Sequence, residues 1–378
     1  MTLRRPGDGS FEFAKPSVGT GAKTIASFWY TSPEIFEAEQ ERIFSREWVC
    51  VGREETIPKS GDFFTAECAG ESLIVTRDTA GAVHAFYNIC RHRGTRICDQ
   101  QSGRFHGSIQ CPYHAWTYGL DGKLNVARNM AQVPEFDRDD YPLREAAVGL
   151  WEGFIFVNLP GDGNFERAFA PLIGRFAQWE IDRLRTAHSI RYDLACNWKL
   201  IVLNYSECYH CPLVHPQLDR LSPSESGRND LSEGPFLGGY SELRTSGGSL
   251  STTGHRTRPP VGKVSGENLD RIYYYAIFPS LLLSLHADYV MVHYLKPVAA
   301  DRTQVVCAWL FDPRVSMQPG FDPSDATEFW DITNRQDWRV NELTQLGLKS
   351  RAYSPGPYSN AEGLLSAFDR HYLNVMGA

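Results

Sequence analysis

The chain has 378 residues, 42% of them apolar and 22% charged, with 45 acidic against 38 basic side chains and a formal net charge of −7. That composition is ordinary for a soluble globular chain with core enough for about two domains. The acidic balance argues against a nucleic-acid partner, which a basic face would advertise. The lack of any run of about 18 apolar residues argues against a membrane-spanning helix.

The opening Met1-Thr2-Leu3-Arg4-Arg5-Pro6-Gly7 is basic but has no apolar segment behind it, so no secretory signal is read there. Nine cysteines are an odd number, and in a large chain without an export signal they predict a cytoplasmic protein with thiols or metal ligands rather than a disulfide framework. Four of them, Cys90, Cys111, Cys208 and Cys211, each lie within a few residues of a histidine. Cys50, Cys68, Cys98, Cys196 and Cys307 read as core or surface residues.

The first thirty residues are rich in Gly, Ser and Lys and are expected to drape over the surface. Residues 33–48 carry Ile35, Phe36, Ala38, Ile43 and Phe44 at helical spacing and predict an amphipathic helix. From 49 to 159 the pattern changes to short β-type runs such as Leu73-Ile74-Val75-Thr76, Val83-His84-Ala85-Phe86-Tyr87 and Phe154-Ile155-Phe156-Val157. Turn signals at Asp78-Thr79-Ala80-Gly81 and Leu120-Asp121-Gly122-Lys123 part them, so a small β domain of roughly a hundred residues is predicted.

On two of its turns sit Cys90-Arg91-His92-Arg93-Gly94 and Cys111-Pro112-Tyr113-His114, each offering one thiol and one imidazole. Gly94 and Pro112 fit tight loops. Thiolates together with imidazoles suit zinc or an iron–sulfur cluster. Spacing alone leaves a structural Cys₂His₂ zinc site open, although zinc fingers usually pair their cysteines before their histidines. A [2Fe–2S] cluster with two Cys on one iron and two His on the other is the Rieske arrangement, whose neutral imidazoles raise the reduction potential.

Beyond residue 160, helices are predicted over about 165–179 and 198–210. Residues 219–268 are rich in Gly, Ser and Pro, with few signals besides 236–243, and read either as a mobile lid or as a disordered surface excursion. Strands over 272–285, 289–298 and 304–311, with a final helix over 323–348, complete an α+β domain.

Within it, Asn204-Tyr205-Ser206-Glu207-Cys208-Tyr209-His210 runs through Cys211-Pro212-Leu213-Val214 to His215-Pro216. Two His and one carboxylate on one face bind Fe(II) in non-haem oxygenases and leave positions open for O₂ and substrate. On an unbroken helix His210 and His215 would diverge by about 140°, but Pro212 predicts a kink or helix end between them. Glu207, three residues before His210, would share its side of a helix. Proximity nominates Glu207 as the carboxylate, with Asp219, Asp331 and Asp337 as rivals.

Cys90-Arg91-His92-Arg93-Gly94 with Cys111-Pro112-Tyr113-His114, followed by Ala115-Trp116-Thr117-Tyr118, resembles the Rieske motif of ring-hydroxylating oxygenase α subunits. Asn204-x-x-Glu207-x-x-His210-x₄-His215 is similar to that family's mononuclear-iron motif, and Asn334-Arg335-Gln336-Asp337-Trp338 resembles its distant carboxylate position. The resemblance extends to Ser350-Arg351-Ala352-Tyr353-Ser354-Pro355-Gly356-Pro357-Tyr358-Ser359, which looks closest to the α-only branch that includes glycine-betaine, choline and carnitine oxygenases.

It implies an arm and helix over 1–48, a Rieske β domain over 49–159, and a catalytic domain of helix-grip type over 160–378. Cys90, His92, Cys111 and His114 would hold the [2Fe–2S] cluster, and His210, His215 and Asp337 the mononuclear Fe(II). Asn204 belongs to the same motif. Glu207 would bridge His210 to His114 of an adjacent subunit in a homotrimer and so couple the two metals.

The implied activity is O₂-dependent hydroxylation of a small organic substrate, by monooxygenation with N-demethylation or by ring dihydroxylation. Electrons would come from NAD(P)H through a separate reductase, because the chain lacks both a Gly-rich dinucleotide fingerprint and plant-type ferredoxin cysteine spacing. The alternative is a Rieske electron-transfer protein whose second domain only binds a ligand.

For the substrate pocket, Tyr205, Tyr275, Phe278, Leu283, Tyr289 and His293 are the candidates. Tyr289, Met291 and His293 alternate onto one strand face. An aromatic cage would suit a quaternary ammonium ion, and an apolar slot an arene. His286 and His293 read as satisfied polar core residues rather than further iron ligands.

Overall fold

The computed structural model describes residues 13–15 and 18–378. They divide into two compact units, one formed by Gln40–Ala170 and the other by the described residues up to Glu39 with Pro171–Ala378. The opening heptapeptide lies outside the described residues. Of the remaining arm, Ala14 bridges to Asn229 and Lys23 to Pro357, and from Ile25 onward side chains enter the core.

The helix over 33–48 is shorter than its periodicity predicts: Pro33–Glu39 is α-helical and Gln40–Phe44 continues as a π-helical turn. Such wide turns occur mostly as single-turn interruptions of α-helices.

The unit Gln40–Ala170 is mainly β, as the alternation of short apolar runs and turns requires, with short helical turns at Gln40–Phe44 and Phe165–Phe169. Its strands are β1 (Val49–Arg53), β2 (Asp62–Cys68), β3 (Glu71–Arg77), β4 (Val83–Tyr87), β5 (Ser102–Arg104), β6 (Ser108–Gln110), β7 (Thr117–Gly119), β8 (Leu124–Val126), β9 (Glu145–Trp151) and β10 (Phe154–Asn158). Seven form one sheet in the order β1-β10-β9-β4-β3-β2-β5, and β6-β7-β8 form a second. The run Phe154–Asn158 has no polar alternation because β10 lies between β1 and β9 and buries all five residues.

The other unit is built on a seven-stranded antiparallel sheet in the order β11-β17-β16-β15-β14-β13-β12. Its strands are β11 (Arg185–Leu194), β12 (Arg228–Glu233), β13 (Phe236–Glu242), β14 (Arg271–Ile277), β15 (Leu281–Leu285), β16 (Val290–Ala299) and β17 (Arg302–Phe311). The segment 219–268 therefore supplies two strands. Arg258, bonded to Asp288 and Asp325, ties the remainder down. The helix read over 165–179 is confined to Phe165–Phe169.

A 25-residue helix, Ser324–Leu348, lies across one face of this sheet. Its Asp331 accepts from Tyr192 on β11, and its Asn334 bonds His293 on β16. The architecture is thus α+β, a helix gripped by a curved antiparallel sheet. The helix's buried stripe includes Thr333, Asn334, Asn341 and Gln345, more polar than a packing face normally is.

The helix Trp198–Tyr205 packs beside it and is anchored by a fully buried ion pair, Lys199 with Glu39. Trp198 Nε1 and the Tyr372 hydroxyl also donate to Glu39, so the buried carboxylate is fully engaged. Among the described residues no helix is long and apolar enough to cross a membrane.

Candidate active site

Cys90 and Cys111 open two loops of matching form in the β unit. In each, the cysteine carbonyl accepts the amide four residues on, from Gly94 and from Ala115 respectively. Both fourth residues take a left-handed backbone, with φ of 73° at Gly94 and 55° at Ala115. Glycine adopts that conformation without cost, whereas alanine there is held by its surroundings.

The two thiols are buried, Cys90 to 3% and Cys111 to 2% exposure, while His92 is exposed and His114 half-buried. The imidazoles meet edge to face with centroids 4.7 Å apart. Two sulfurs inside and two imidazoles outside fit a cluster whose histidine-bound iron faces the surface. The Tyr118 hydroxyl lies 3.3 Å from Cys90 Sγ and accepts from the Arg91 amide, a hydrogen bond to sulfur of the kind that tunes such a centre.

In the other unit, the helix Trp198–Tyr205 ends at Ser206, so Glu207 lies on a turn and not on the helix. His210 and His215 cap the two ends of a short helix, Cys211–Val214, in which Pro212 occupies the first turn. That break turns both imidazoles to one point. His210 Nε2 and His215 Nε2 lie 3.2 and 2.7 Å from Asp337 Oδ1, and the three ligand atoms fall within 4.8 Å of one another. Two imidazole nitrogens and a carboxylate oxygen converging in a cavity are the donor set of a facial triad with open positions.

Behind the triad, Glu207 Oε1 lies 2.6 Å from His210 Nδ1, and Gln336 Oε1 lies 2.7 Å from His215 Nδ1. Each acceptor holds a proton on Nδ1 and leaves Nε2 for a metal. Burial would depress the His210 pKa, but Asp337 and Glu207 outweigh it and lift it to about 10. Burial likewise works to raise the Asp337 carboxyl, yet the bonds from His210 and His215 hold it below the usual carboxylate range. Asn204 Nδ2 approaches His210 Nε2 at 3.4 Å.

Cys208 and Cys211 are joined in a disulfide, contrary to the expectation of thiols or metal ligands alone. Their i,i+3 spacing on this tight turn brings the Cα atoms to 5.0 Å, within the span a disulfide requires.

The triad opens into a cavity of about 420 Å³. Its sheet wall includes Leu237, Tyr274, Ala276, Leu282, Met291 and His293, and its helix wall Trp330, Thr333, Asn334 and Trp338 beside Asp337. Asn204, Tyr205, Glu207 and His293 line it, whereas Tyr275, Phe278, Leu283 and Tyr289 do not. Tyr275 and Leu283 are cross-strand partners on the opposite sheet face, where the Tyr275 hydroxyl donates to Asp230. Phe278 lies at the β14–β15 turn, and the Tyr289 hydroxyl donates to the Leu250 carbonyl.

His286 is buried with neither ring nitrogen bonded, and His293 has Nδ1 unbonded although Nε2 lies 3.2 Å from Asn334 Oδ1. Neither belongs to the triad, and neither is fully satisfied as a core residue would be. Burial keeps both neutral, with pKa values near 3 and 4. Sequence reasoning missed Gln336, Tyr274 and Trp330. Gln336 lies inside the quoted motif, but its role depends on the direction of His215 Nδ1, which no sequence pattern carries.

The family described as ring hydroxylating alpha subunit (catalytic domain) matches residues 181–378, and the Rieske [2Fe-2S] domain family matches residues 47–137. The glycine betaine monooxygenase oxygenase subunit of Chromohalobacter salexigens is 30% identical, covering 90% of this chain and 82% of that relative. The chloroplastic choline monooxygenase of Arabidopsis thaliana is 27% identical over 90% of this chain and 80% of its own length. A solved quaternary ammonium Rieske monooxygenase, described for carnitine oxidation by gut microbiota, matches with a TM-score of 0.80 at 27% identity, covering 94% of this chain and 96% of that one.

Proposed function

This chain belongs to the ring-hydroxylating oxygenase α-subunit family, and from that premise we propose how its own residues carry out the reaction and on what. As a member it is the terminal oxygenase component, an oxidoreductase that uses a Rieske cluster, a mononuclear iron and O₂ and receives electrons from a separate reductase. Bound in their places, the cluster supplies single electrons and the iron supplies the centre at which O₂ is activated.

In our reading Cys90, His92, Cys111 and His114 hold the cluster, and His210, His215 and Asp337 hold the iron. The observation that carries it is the convergence of both Nε2 atoms on Asp337 Oδ1 at the cavity, at 3.2 and 2.7 Å. Glu207 and Gln336 keep the Nδ1 protons in place and so fix which nitrogen of each ring faces the metal. Asn204 lines the cavity beside the His210 ring. The apolar walls keep bulk water from the reacting carbon.

Glu207 has a second task, to join His210 to His114 of a neighbouring subunit and give the electron a hydrogen-bonded route across a homotrimer. Support comes from what surrounds the two groups. Tyr209 and Leu213 beside Glu207 are 65% and 88% exposed, and Tyr113 beside His114 is 57% exposed. Large apolar side chains next to functional groups suit a surface that a second copy covers. A cytoplasmic location belongs to the same reading, supported by the need for reduced nicotinamide through the reductase.

The substrate is a quaternary ammonium compound, N-demethylated after hydroxylation of a methyl group. The named relatives support this reading, as do the aromatic rings of Tyr205 and Trp338 that line the cavity, since such rings attract a cation that cannot donate hydrogen bonds. Supplied with a surrogate reductase and NADH, the holoenzyme should consume O₂ faster when quaternary ammonium ions are added and should release formaldehyde in step with it. Stimulation by arenes with diol formation, and none by any ammonium ion, would overturn the substrate assignment.

A further inference from the structure

The cavity is lined by the triad and by the residues of the sheet and helix that face it. The register across the sheet sets two rows on the cavity face, Leu237-Ala276-Leu282-His293 and Gly239-Tyr274-Ser284-Met291. His293 of the first row bonds Asn334, one helical turn before Asp337. Tyr274 of the second row meets Trp330, with ring centroids 6.5 Å apart. Trp330 precedes Asp337 by seven residues, about 10 Å along a helix, so Tyr274 marks the end of the cavity away from the triad.

Tyr274 stands in a run of three tyrosines, Tyr273-Tyr274-Tyr275, whose outer members point to the other sheet face and are bonded there, to Asn268 and to Asp230. Tyr205 spends its hydroxyl on Ser284, and the Trp330 indole donates to Tyr289. The Tyr274 hydroxyl, half-buried on a central strand, has no protein partner among the described residues. It is a hydrogen-bonding group aimed into the cavity with nothing to bond but a ligand or water, and a partner supplied by the ligand is favoured at such a position.

Charge narrows the ligand further. Among the described residues the lining contains the carboxylates Glu207, Glu225 and Asp337 and no lysine or arginine. Arg228, between two lining residues in sequence, directs Nη1 to the carbonyls of Glu225 and Gly227. An N-methyl group presented to the triad leaves the substrate's other functional group at the Tyr274 end. A carboxylate there would lose its hydration without gaining a counter-charge, which is unfavourable. A hydroxyl would lose little and gain the phenol.

Resting on the quaternary ammonium reading, we propose that Tyr274 selects the substrate: it hydrogen-bonds a neutral hydroxyl at the far end of the cavity, so the enzyme prefers an ammonium alcohol to an ammonium carboxylate. Calorimetric titration of the holoenzyme with choline, glycine betaine and tetramethylammonium tests this. The native enzyme should bind choline at least about tenfold more tightly than glycine betaine. Tyr274→Phe should weaken choline about tenfold, a loss of about 1.4 kcal/mol, while leaving tetramethylammonium binding and both metal spectra unchanged.

The ranking in the native enzyme is informative even if that variant folds poorly. Glycine betaine bound as tightly as choline or more tightly would overturn the proposal and leave the ammonium reading standing, as would equal choline binding by an intact Tyr274→Phe. Binding of none of the three ions would overturn both.

Discussion

At the scale of single residues, the two imidazoles of the triad differ in what stands behind them. His215 leans on a neutral amide, Gln336, whereas His210 leans on a carboxylate, Glu207. A carboxylate strengthens the basicity of the ring it holds and can accept a second bond from another partner, which suits Glu207 to the bridging role proposed for it. Glu207→Ala should therefore retain cluster absorption and iron while substrate-driven NADH oxidation falls by about 10–100-fold or more. A variant with full coupled turnover would remove Glu207 from the electron route. Asp337 and Glu207 outweigh burial and raise the His210 pKa, so loading the site with metal is expected to release a proton.

At the scale of elements, the helix Trp198–Tyr205 delivers Asn204 and Tyr205 to the site, and its footing is the buried Glu39–Lys199 pair. Removing one member leaves the other charged and unpaired in the core, a loss of about 3–5 kcal/mol. Glu39→Ala should thus shift the urea midpoint markedly downward, and an unchanged midpoint would show that the pair does not anchor the helix.

Strand parity was the hardest property to read from sequence. Residues 272–285 look like one continuous β run, but a turn at Phe278-Pro279 divides them into β14 and β15. Tyr275 and Leu283 do share a face, as cross-strand partners. Both faces of these strands are apolar or aromatic, so no alternation marks which one borders the cavity. The face with Tyr274 and Leu282 is identified only by the helix that packs over it. The two strands within 219–268 were hidden for a related reason: glycines at 238 and 239 lower strand propensity, yet a Cβ at Gly239 would come within 1.8 Å of the Arg228 carbonyl on β12.

At the scale of the whole molecule, the α+β architecture and the pairing of a β unit with a helix-grip unit were legible, because both metal motifs carry residue types and spacings that few other chemistries require. The Cys90/His92 and Cys111/His114 loops and the His210/His215 pair come together as groups. The carboxylate Asp337, 122 residues after His215, could be reached only through resemblance, since spacing alone favoured Glu207. The Cys208–Cys211 disulfide went unread because a pair of cysteines beside a metal histidine looks the same whether reduced or joined.

The central claim is that one chain carries two iron centres, and elemental analysis of anaerobically purified protein tests it most directly. The native chain should hold about three irons and two acid-labile sulfides, and Asp337→Ala about two of each with the cluster spectrum unchanged. Two irons in the native protein, or no loss of iron in Asp337→Ala, would contradict the account.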